Sequence, residues 1–101
     1  MARGFGTNSR GGGFSDGEIQ AVWNKAQAIP GQDTSKIRKD RCGATISRSA
    51  YGQQTAQGWE VDHIKPVSKG GGDELGNLQP LQWENNRHKA DDVPGNCKRT
   101  S

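Results

Sequence analysis

The stretch WEVDHIKPVSKGGGDELGNLQPLQWENNRHKADD, residues 59–92, decides the fold. Its first six residues largely alternate between apolar and polar side chains, which predicts a strand that sends Asp62 and His63 to opposite faces. Pro66 ends this strand, and the loop SKGGGDELG follows, with a run of three glycines at 70–72 that allow backbone conformations closed to other residues. A second short strand, NLQPL, and a helix over residues 81–90 complete the unit. The predicted order is therefore strand, loop, strand and helix.

Two further elements precede this unit and are predicted to cover it. The segment FSDGEIQAVWNKAQAIPG predicts a helix, because Ser15 and Glu18 can form an S-x-x-E capping box at its start and Pro30 and Gly31 stop it. Its apolar residues recur at helical spacing on one face, which favours packing in the core. Residues 36–51, KIRKDRCGATISRSAY, predict a β-hairpin with a turn at DRCG. The sequence as a whole predicts a small α+β fold.

The composition indicates one small domain with a thin core. The chain has 101 residues, of which 29% are hydrophobic, and its mean hydropathy is −1.00. Such a low apolar share raises disorder as a competing class, but three tryptophans and the patterned segments favour a folded core. We expect a flexible, Gly-rich basic arm at residues 1–13, a folded domain at 14–93 with its strand–helix core at about 58–92, and a flexible tail at 94–101.

The apolar runs and the cysteines bear on the cellular compartment. No apolar run is long enough for a membrane span or a signal-peptide core, so the sequence predicts a cytoplasmic protein without a membrane partner. Cys42 and Cys97 are isolated, and no CxxC motif occurs. A disulfide between them is possible in principle, but cytosolic thiols usually stay reduced. We therefore expect two unpaired thiols.

Positive charge is concentrated in the predicted hairpin. The sequence pI is about 9.1, and residues 34–50 carry five basic residues against Asp40 alone. These candidate nucleic-acid-binding residues are Lys36, Arg38, Lys39, Arg41 and Arg48. Because residues 59–92 are acidic by comparison, a phosphate-binding surface beside a metal or catalytic site is one interpretation. A solvated hairpin with ordinary surface charge is the other.

The spacing of the polar residues in the strand–helix unit is that of a known family. His63 is followed by Asn77 after fourteen residues and by Asn86 after a further nine. These intervals, together with the DHI segment, the glycine loop, the NL pair and NNRHK, resemble the framework of the HNH endonucleases. The resemblance covers about residues 58–92. It implies a ββα-metal fold and a metal-dependent DNA endonuclease.

The resemblance also implies roles for individual residues. His63 would be the general base, and Asp62 and Asn86 would hold a metal ion. Asn77 would bond across the loop and fix the geometry of the first strand. A neutral His near pH 7 can take a proton from water, and one carboxylate oxygen with one amide oxygen favours Mg²⁺ or Mn²⁺ over zinc. Singly, each residue has an ordinary structural explanation; together, at these intervals, they favour catalysis.

Helix geometry separates the candidates near the end of the unit. His88 lies about 200° around the helix from Asn86, so a surface pair with Glu84, four residues earlier, is its better explanation. Asn85 is off by about 100° and is the less favoured ligand. Lys89, three residues after Asn86, shares its face and could hold a DNA phosphate.

Other functions stay open at this stage. Paired CxxC motifs, which bind a structural zinc in many members of the family, are absent from this sequence, so no structural zinc is expected. The expected partner is DNA, with other nucleic acid as a further option, and the oligomeric state is open. One rival is a non-catalytic nucleic-acid-binding module, which the intact set of polar residues disfavours. A protein-interaction module is the other, which the lack of an apolar surface stripe disfavours.

Overall fold

A computed structural model describes residues 5–89 and 97–101, and it has the predicted α+β architecture. Its regular elements are helix α1 (Asp16–Trp23), strands β1 (Ile37–Lys39), β2 (Thr45–Ser47), β3 (Trp59–His63) and β4 (Leu78–Gln82), and helix α2 (Trp83–Lys89). β1 pairs with β2 and β3 pairs with β4, both antiparallel. The predicted hairpin and the order strand, loop, strand, helix are both confirmed.

Helix α1 begins as predicted and ends earlier than predicted. The Ser15 hydroxyl accepts a hydrogen bond from the Glu18 backbone at 3.1 Å, and the Glu18 carboxylate accepts one from the Ser15 backbone at 2.9 Å. This reciprocal pair satisfies two backbone donors at the helix start. The helix ends at Trp23, and the backbone N–H groups of Lys25 and Ala26 bond three residues back, which tightens the last turn. Gln27 then forms an isolated bridge with Lys39 of β1.

The core lies between α1 and the β3–β4 pair. Trp23 of α1 and Trp59 of β3 are both fully buried, and their ring centres are 5.3 Å apart. The other members of this cluster are Phe14, Ile19, Val22, Ala26, Ile46, Val61 and Leu78. Trp59 and Val61 contribute from one face of β3, so that face is committed to packing. The opposite face of the strand is turned toward α2.

The loop between β3 and β4 is folded tightly on itself. Gly70 has φ +90°, a left-handed conformation that side chains rarely adopt. At Gly71, a Cβ atom would lie 1.7 Å from the Lys65 carbonyl oxygen, so only glycine fits there. The glycines predicted to give the loop its freedom are therefore used to bring its two ends together.

The structure joins Cys42 and Cys97 in a disulfide, so the expectation of two unpaired thiols is wrong. The cysteines are 55 residues apart in the sequence, and folding brings their Cα atoms to 5.7 Å. Beside the disulfide, the Asn85 side chain accepts hydrogen bonds from the backbones of Lys98 and Arg99 at 2.8 and 2.6 Å. Lys98 and Arg99, within the segment expected to be a flexible tail, thus contact the domain.

The N-terminal arm also contacts the domain. Ser9 bonds to Asp73 in the glycine loop, and Phe5 lies 5.1 Å from the guanidinium of Arg87 on α2. Residues 1–4 of the predicted arm, and residues 90–96 with the predicted end of the C-terminal helix, lie outside the described residues. In the described part of the chain, no helix is long and apolar enough to cross a membrane.

Candidate active site

The candidate site is built around Asp62 and His63, neighbours at the end of β3. Both residues are buried, with 5% and 3% of their surface exposed. Strand alternation sends their side chains to opposite faces. His63 points to the side that carries Phe14, whose ring centre is 6.1 Å away. Asp62 points to the side covered by α2, where it meets Lys89.

The His63 imidazole is held by a carboxylate that the sequence did not identify. Its Nε2 atom lies 2.8 Å from Asp73 Oδ1 in the glycine loop. Ser9 donates to the same carboxylate from its backbone N–H at 2.9 Å and from its hydroxyl at 2.7 Å. Burial by itself would raise the pKa of Asp73, but the hydrogen bonds from His63 and Ser9 outweigh it and lower that pKa overall. Asp73 is therefore an ionised partner of His63 at neutral pH.

Asp62 is neutralised by a buried lysine. The Lys89 ammonium, only 2% exposed, lies 3.3 Å from Asp62 Oδ1 and donates to the His63 carbonyl oxygen at 3.1 Å. Gln79, the strand partner of Asp62, donates to Oδ2 at 2.9 Å. Burial raises the pKa of the Asp62 carboxyl, and the Gln79 hydrogen bond and the Lys89 charge lower it in part. Lys89 therefore contacts Asp62 in this conformation rather than lying at the surface.

Asn86 faces β3 from α2, but its side chain bonds to Glu60, two residues before Asp62 on the same strand. Its side-chain nitrogen donates to Glu60 Oε1 at 2.9 Å, and Arg87 donates to Glu60 Oε2 at 3.1 Å. Since Glu60 and Asp62 share one face of β3, the Asn86 amide and the two carboxylates lie in the same layer between strand and helix. An amide that donates to Glu60 through nitrogen directs its oxygen away from that carboxylate.

Asn77 joins the two ends of the glycine loop. Its side-chain oxygen accepts from the Lys65 backbone N–H at 2.8 Å, and its nitrogen donates to the carbonyls of Lys65 at 3.1 Å and Gly72 at 2.9 Å. Its own carbonyl accepts from Ile64 at 2.8 Å. These bonds fix the chain directly after His63.

The donor set between β3 and α2 suits a hard divalent cation. Carboxylate and amide oxygens are the ligands that Mg²⁺ and Mn²⁺ prefer, and Asp62 with Asn86 supplies one of each. The Asp62 carboxylate already binds one cationic group, the Lys89 ammonium. Across residues 5–89 and 97–101, no cluster of three or more His, Cys, Asp or Glu is arranged to hold a metal ion. A metal here would rely on the amide, and on water or phosphate for its remaining ligands.

His88 and Asn85, the two residues of α2 that helix geometry disfavoured as metal ligands, differ in burial and in hydrogen-bond partners. His88 is exposed. Glu84, expected to pair with it, is bonded instead to Arg99 at 3.1 Å, because the disulfide brings the chain end alongside α2. Asn85 is buried and engaged with Asp40 and the chain end. It is thus a structural amide.

The basic residues of the hairpin differ in how far they are available to nucleic acid. Lys36 and Arg41 are exposed, and Lys39 is half-buried. Arg38 donates to backbone carbonyls and lies over a buried tryptophan ring. Arg48 bonds a glutamine of α1 and lies over a second tryptophan. The two half-buried arginines thus already have intramolecular partners that a phosphate contact would have to share.

Three site residues were missed from the sequence, for different reasons. Glu60 could have been found, because it alternates with Asp62 on the same strand face. Gln79 could not, since its contact depends on the register of β3 against β4. Asp73 carried no signal either, because its position ten residues after His63 becomes a contact only when the glycine loop folds back.

An antiparallel strand pair followed by a helix, with an Asp–His pair at the end of the first strand, defines a ββα nuclease-type domain. Residues 40–92 match the family model of the HNH endonucleases, which is just over half of the chain. The chain therefore belongs to the HNH endonuclease family. Members generally act on nucleic acid as endonucleases and typically use a divalent metal. No curated protein and no solved structure was found to match the chain.

Proposed function

We propose that this chain is a metal-dependent endonuclease that hydrolyses phosphodiester bonds of DNA, with residues 14–93 as its catalytic domain. The observation that carries the proposal is the arrangement at the end of β3. His63 and Asp62 are adjacent, their side chains lie on opposite faces, and α2 brings Asn86 to the Asp62 face. An in-line attack on phosphorus needs its base on one side and its leaving-group electrophile on the other, and this arrangement supplies both sides.

His63 acts as the general base in this proposal. Its imidazole takes a proton from the attacking water, a contribution usually worth about 10²–10⁴-fold in rate. Asn77 fixes the backbone that carries the imidazole. Asp62 and Asn86 would hold the divalent cation, which supplies charge for the phosphate and for the departing oxygen. The family relationship leaves the metal open, and the donor set favours Mg²⁺ or Mn²⁺.

The test of the base is a nicking assay on supercoiled plasmid, with Mg²⁺ and with EDTA. We expect His63→Ala to lose about 10²-fold or more in cleavage rate and to retain DNA binding, because a base acts in the transition state. His88→Ala is the matched control, since it removes an exposed imidazole from the same unit. Near-normal nicking by His63→Ala would contradict the mechanism.

The test of the metal ligands is a metal titration of cleavage. Asp62→Ala and Asn86→Ala should each raise the Mg²⁺ or Mn²⁺ concentration needed for half-maximal rate, and His88→Ala should leave it unchanged. An equal increase for His88→Ala would show that the helix face is wrongly assigned.

One observation favours a second candidate, a non-catalytic nucleic-acid-binding domain. The Lys89 ammonium already neutralises the carboxylate proposed as a metal ligand. A domain that had lost its metal could keep this ion pair as a permanent structural contact. Purified protein that binds duplex DNA, yet leaves plasmid intact at every Mg²⁺ and Mn²⁺ concentration, would establish this alternative.

DNA binding is proposed to rely on phosphate contacts from the basic hairpin. Lys36 and Arg41 are the exposed members of the set, although Arg41 also contacts Cys97, and Lys39 is half-buried. Arg38 and Arg48 would contribute while keeping their intramolecular contacts, and Lys89 would contribute only after leaving Asp62. Such contacts carry little sequence information. Competition between unrelated duplexes should therefore show only a small preference.

The cytoplasmic location expected from the sequence stays a proposal, and the disulfide bears on it. Disulfides persist mainly in oxidising compartments and are rare in the cytosol. Thiol trapping of protein taken directly from its native cells would show whether Cys42 and Cys97 are joined there. A fully reduced pair is the result expected for a cytoplasmic enzyme.

A further inference from the structure

We propose that Asp73 is a positioning residue for His63 and that it determines which ring nitrogen of the imidazole acts as the base. The inference rests on the proposed endonuclease function for its catalytic consequence. Its structural content, a fixed tautomer of His63, is independent of that function and can be measured separately.

The tautomer follows from the chemistry of the contact. An ionised carboxylate has no hydrogen to donate, so it can only accept. The contact of 2.8 Å between His63 Nε2 and Asp73 Oδ1 therefore needs a proton on Nε2. In a neutral imidazole only one nitrogen is protonated. Nδ1 is then the unprotonated nitrogen, with the lone pair that a general base requires.

Nδ1 is the remaining ring nitrogen. The polar contact that the structure gives the His63 imidazole runs through Nε2. Nδ1 is therefore the nitrogen that the proposal assigns to the attacking water.

Asp73 is itself held in place before any substrate binds. Two hydrogen bonds from Ser9 fix its carboxylate. The preceding residue, Gly72, is held by Asn77 through its carbonyl oxygen at 2.9 Å. The carboxylate is therefore anchored from the N-terminal arm and from the loop. A base whose partner is fixed in advance needs little rearrangement during the reaction.

The proton then follows a defined route. Nδ1 of His63 takes a proton from the attacking water as the water oxygen bonds to phosphorus. The bond between phosphorus and the leaving oxygen breaks, and that oxygen takes a proton from solvent. The resulting imidazolium keeps its Nε2 hydrogen on the Asp73 carboxylate, which stabilises the positive charge. An orienting carboxylate has this role toward histidine in other hydrolases, where its replacement by an amide lowers the rate by up to about 10⁴-fold.

The test compares Asp73→Asn with Glu74→Gln. Both changes remove one negative charge from the same loop without changing the size of the side chain, but Glu74 is exposed and Asp73 alone contacts the imidazole. We expect Asp73→Asn to lower the single-turnover nicking rate at saturating DNA by about 10²-fold. The dissociation constant for DNA should change less than about threefold. Glu74→Gln should match the wild type in both.

A spectroscopic readout separates this inference from the proposed function. Long-range proton–nitrogen NMR correlations of the His63 ring report which nitrogen is protonated. In the wild type they should show hydrogen on Nε2 alone, and in Asp73→Asn a mixture of the two tautomers. If the wild type shows this tautomer and never cuts DNA, the endonuclease proposal fails and the role of Asp73 in orienting the ring stands.

The inference is overturned if Asp73→Asn cuts DNA as fast as Glu74→Gln, or if the tautomer of His63 is the same in both variants. Ser9→Ala serves if Asp73→Asn does not fold. It removes one of the two anchoring bonds of the carboxylate, so the rate should fall several-fold and the tautomer signal should broaden. A Ser9→Ala protein with wild-type rate and spectrum would then overturn the proposal.

Discussion

The ion pair between Lys89 and Asp62 makes a prediction that links stability to metal binding. The two charged atoms are 3.3 Å apart and almost fully buried. At an effective dielectric constant near 20, their gross attraction is about 5 kcal/mol. Removing one partner of a buried pair leaves the other charge uncompensated, at a cost of about 3–5 kcal/mol. Lys89→Met keeps most of the side-chain volume and removes the charge, so it should lower the free energy of unfolding by about that amount in EDTA.

Added Mg²⁺ should restore part of the stability that Lys89→Met loses in EDTA. In the wild type, the ammonium competes with a divalent cation for the Asp62 carboxylate. Without it, we expect Mg²⁺ to bind at least about tenfold more tightly, which at saturating metal adds about 1.4 kcal/mol to the metal-induced stabilisation. Urea denaturation with Mg²⁺ and with EDTA measures both quantities. Lys69→Met is the control, because Lys69 is exposed.

Two results would refute this reasoning in different places. If the free energies of unfolding of Lys89→Met and of the wild type in EDTA differ by less than about 0.5 kcal/mol, the ammonium does not compensate the Asp62 charge. If the variant is destabilised but gains no extra stabilisation from Mg²⁺, the ion pair is structural and Asp62 does not hold the metal.

Two further predictions concern the disulfide and the DNA surface. Cys97→Ser, or reduction of the bond to Cys42, should lower the free energy of unfolding by about 4 kcal/mol, because the bridge closes a loop spanning 55 residues. Thermal melts with and without reductant measure this loss of stability. An unchanged melting temperature would contradict the prediction. Replacing Lys36 and Arg41 with alanine should flatten the slope of log affinity against log salt by about 1.8, at about 0.9 for each phosphate contact. Lys89→Met should leave that slope nearly unchanged because its ammonium is buried, and titrations of fluorescent duplex DNA at several salt concentrations compare the variants.

The sequence by itself determined the order of the elements and the spacing of the polar residues within them. The Ser15–Glu18 capping box, the hairpin and the opposite directions of Asp62 and His63 follow from local rules. Backbone hydrogen bonding and the periods of strand and helix act over a few residues, so they can be read from a single segment. The intervals from His63 to Asn77 and Asn86 identified the family for the same reason, because spacing along the chain sets where each residue lies within these elements.

The sequence did not determine which side chains meet across the fold. Asp73 reaches His63 only because Gly70 adopts a left-handed conformation and Gly71 has no Cβ to clash with the Lys65 carbonyl, so the loop can fold back. Lys89 reaches Asp62 only because α2 packs on one face of β3. Cys42 and Cys97 are joined because the chain end returns to the hairpin turn, although the expected compartment argued for free thiols. Contacts of this kind depend on how distant segments pack together, and local periodicity contains no information on that packing. The sequence therefore determined the candidate base and the candidate metal ligands, and the tertiary structure alone decided what orients the base and what neutralises Asp62.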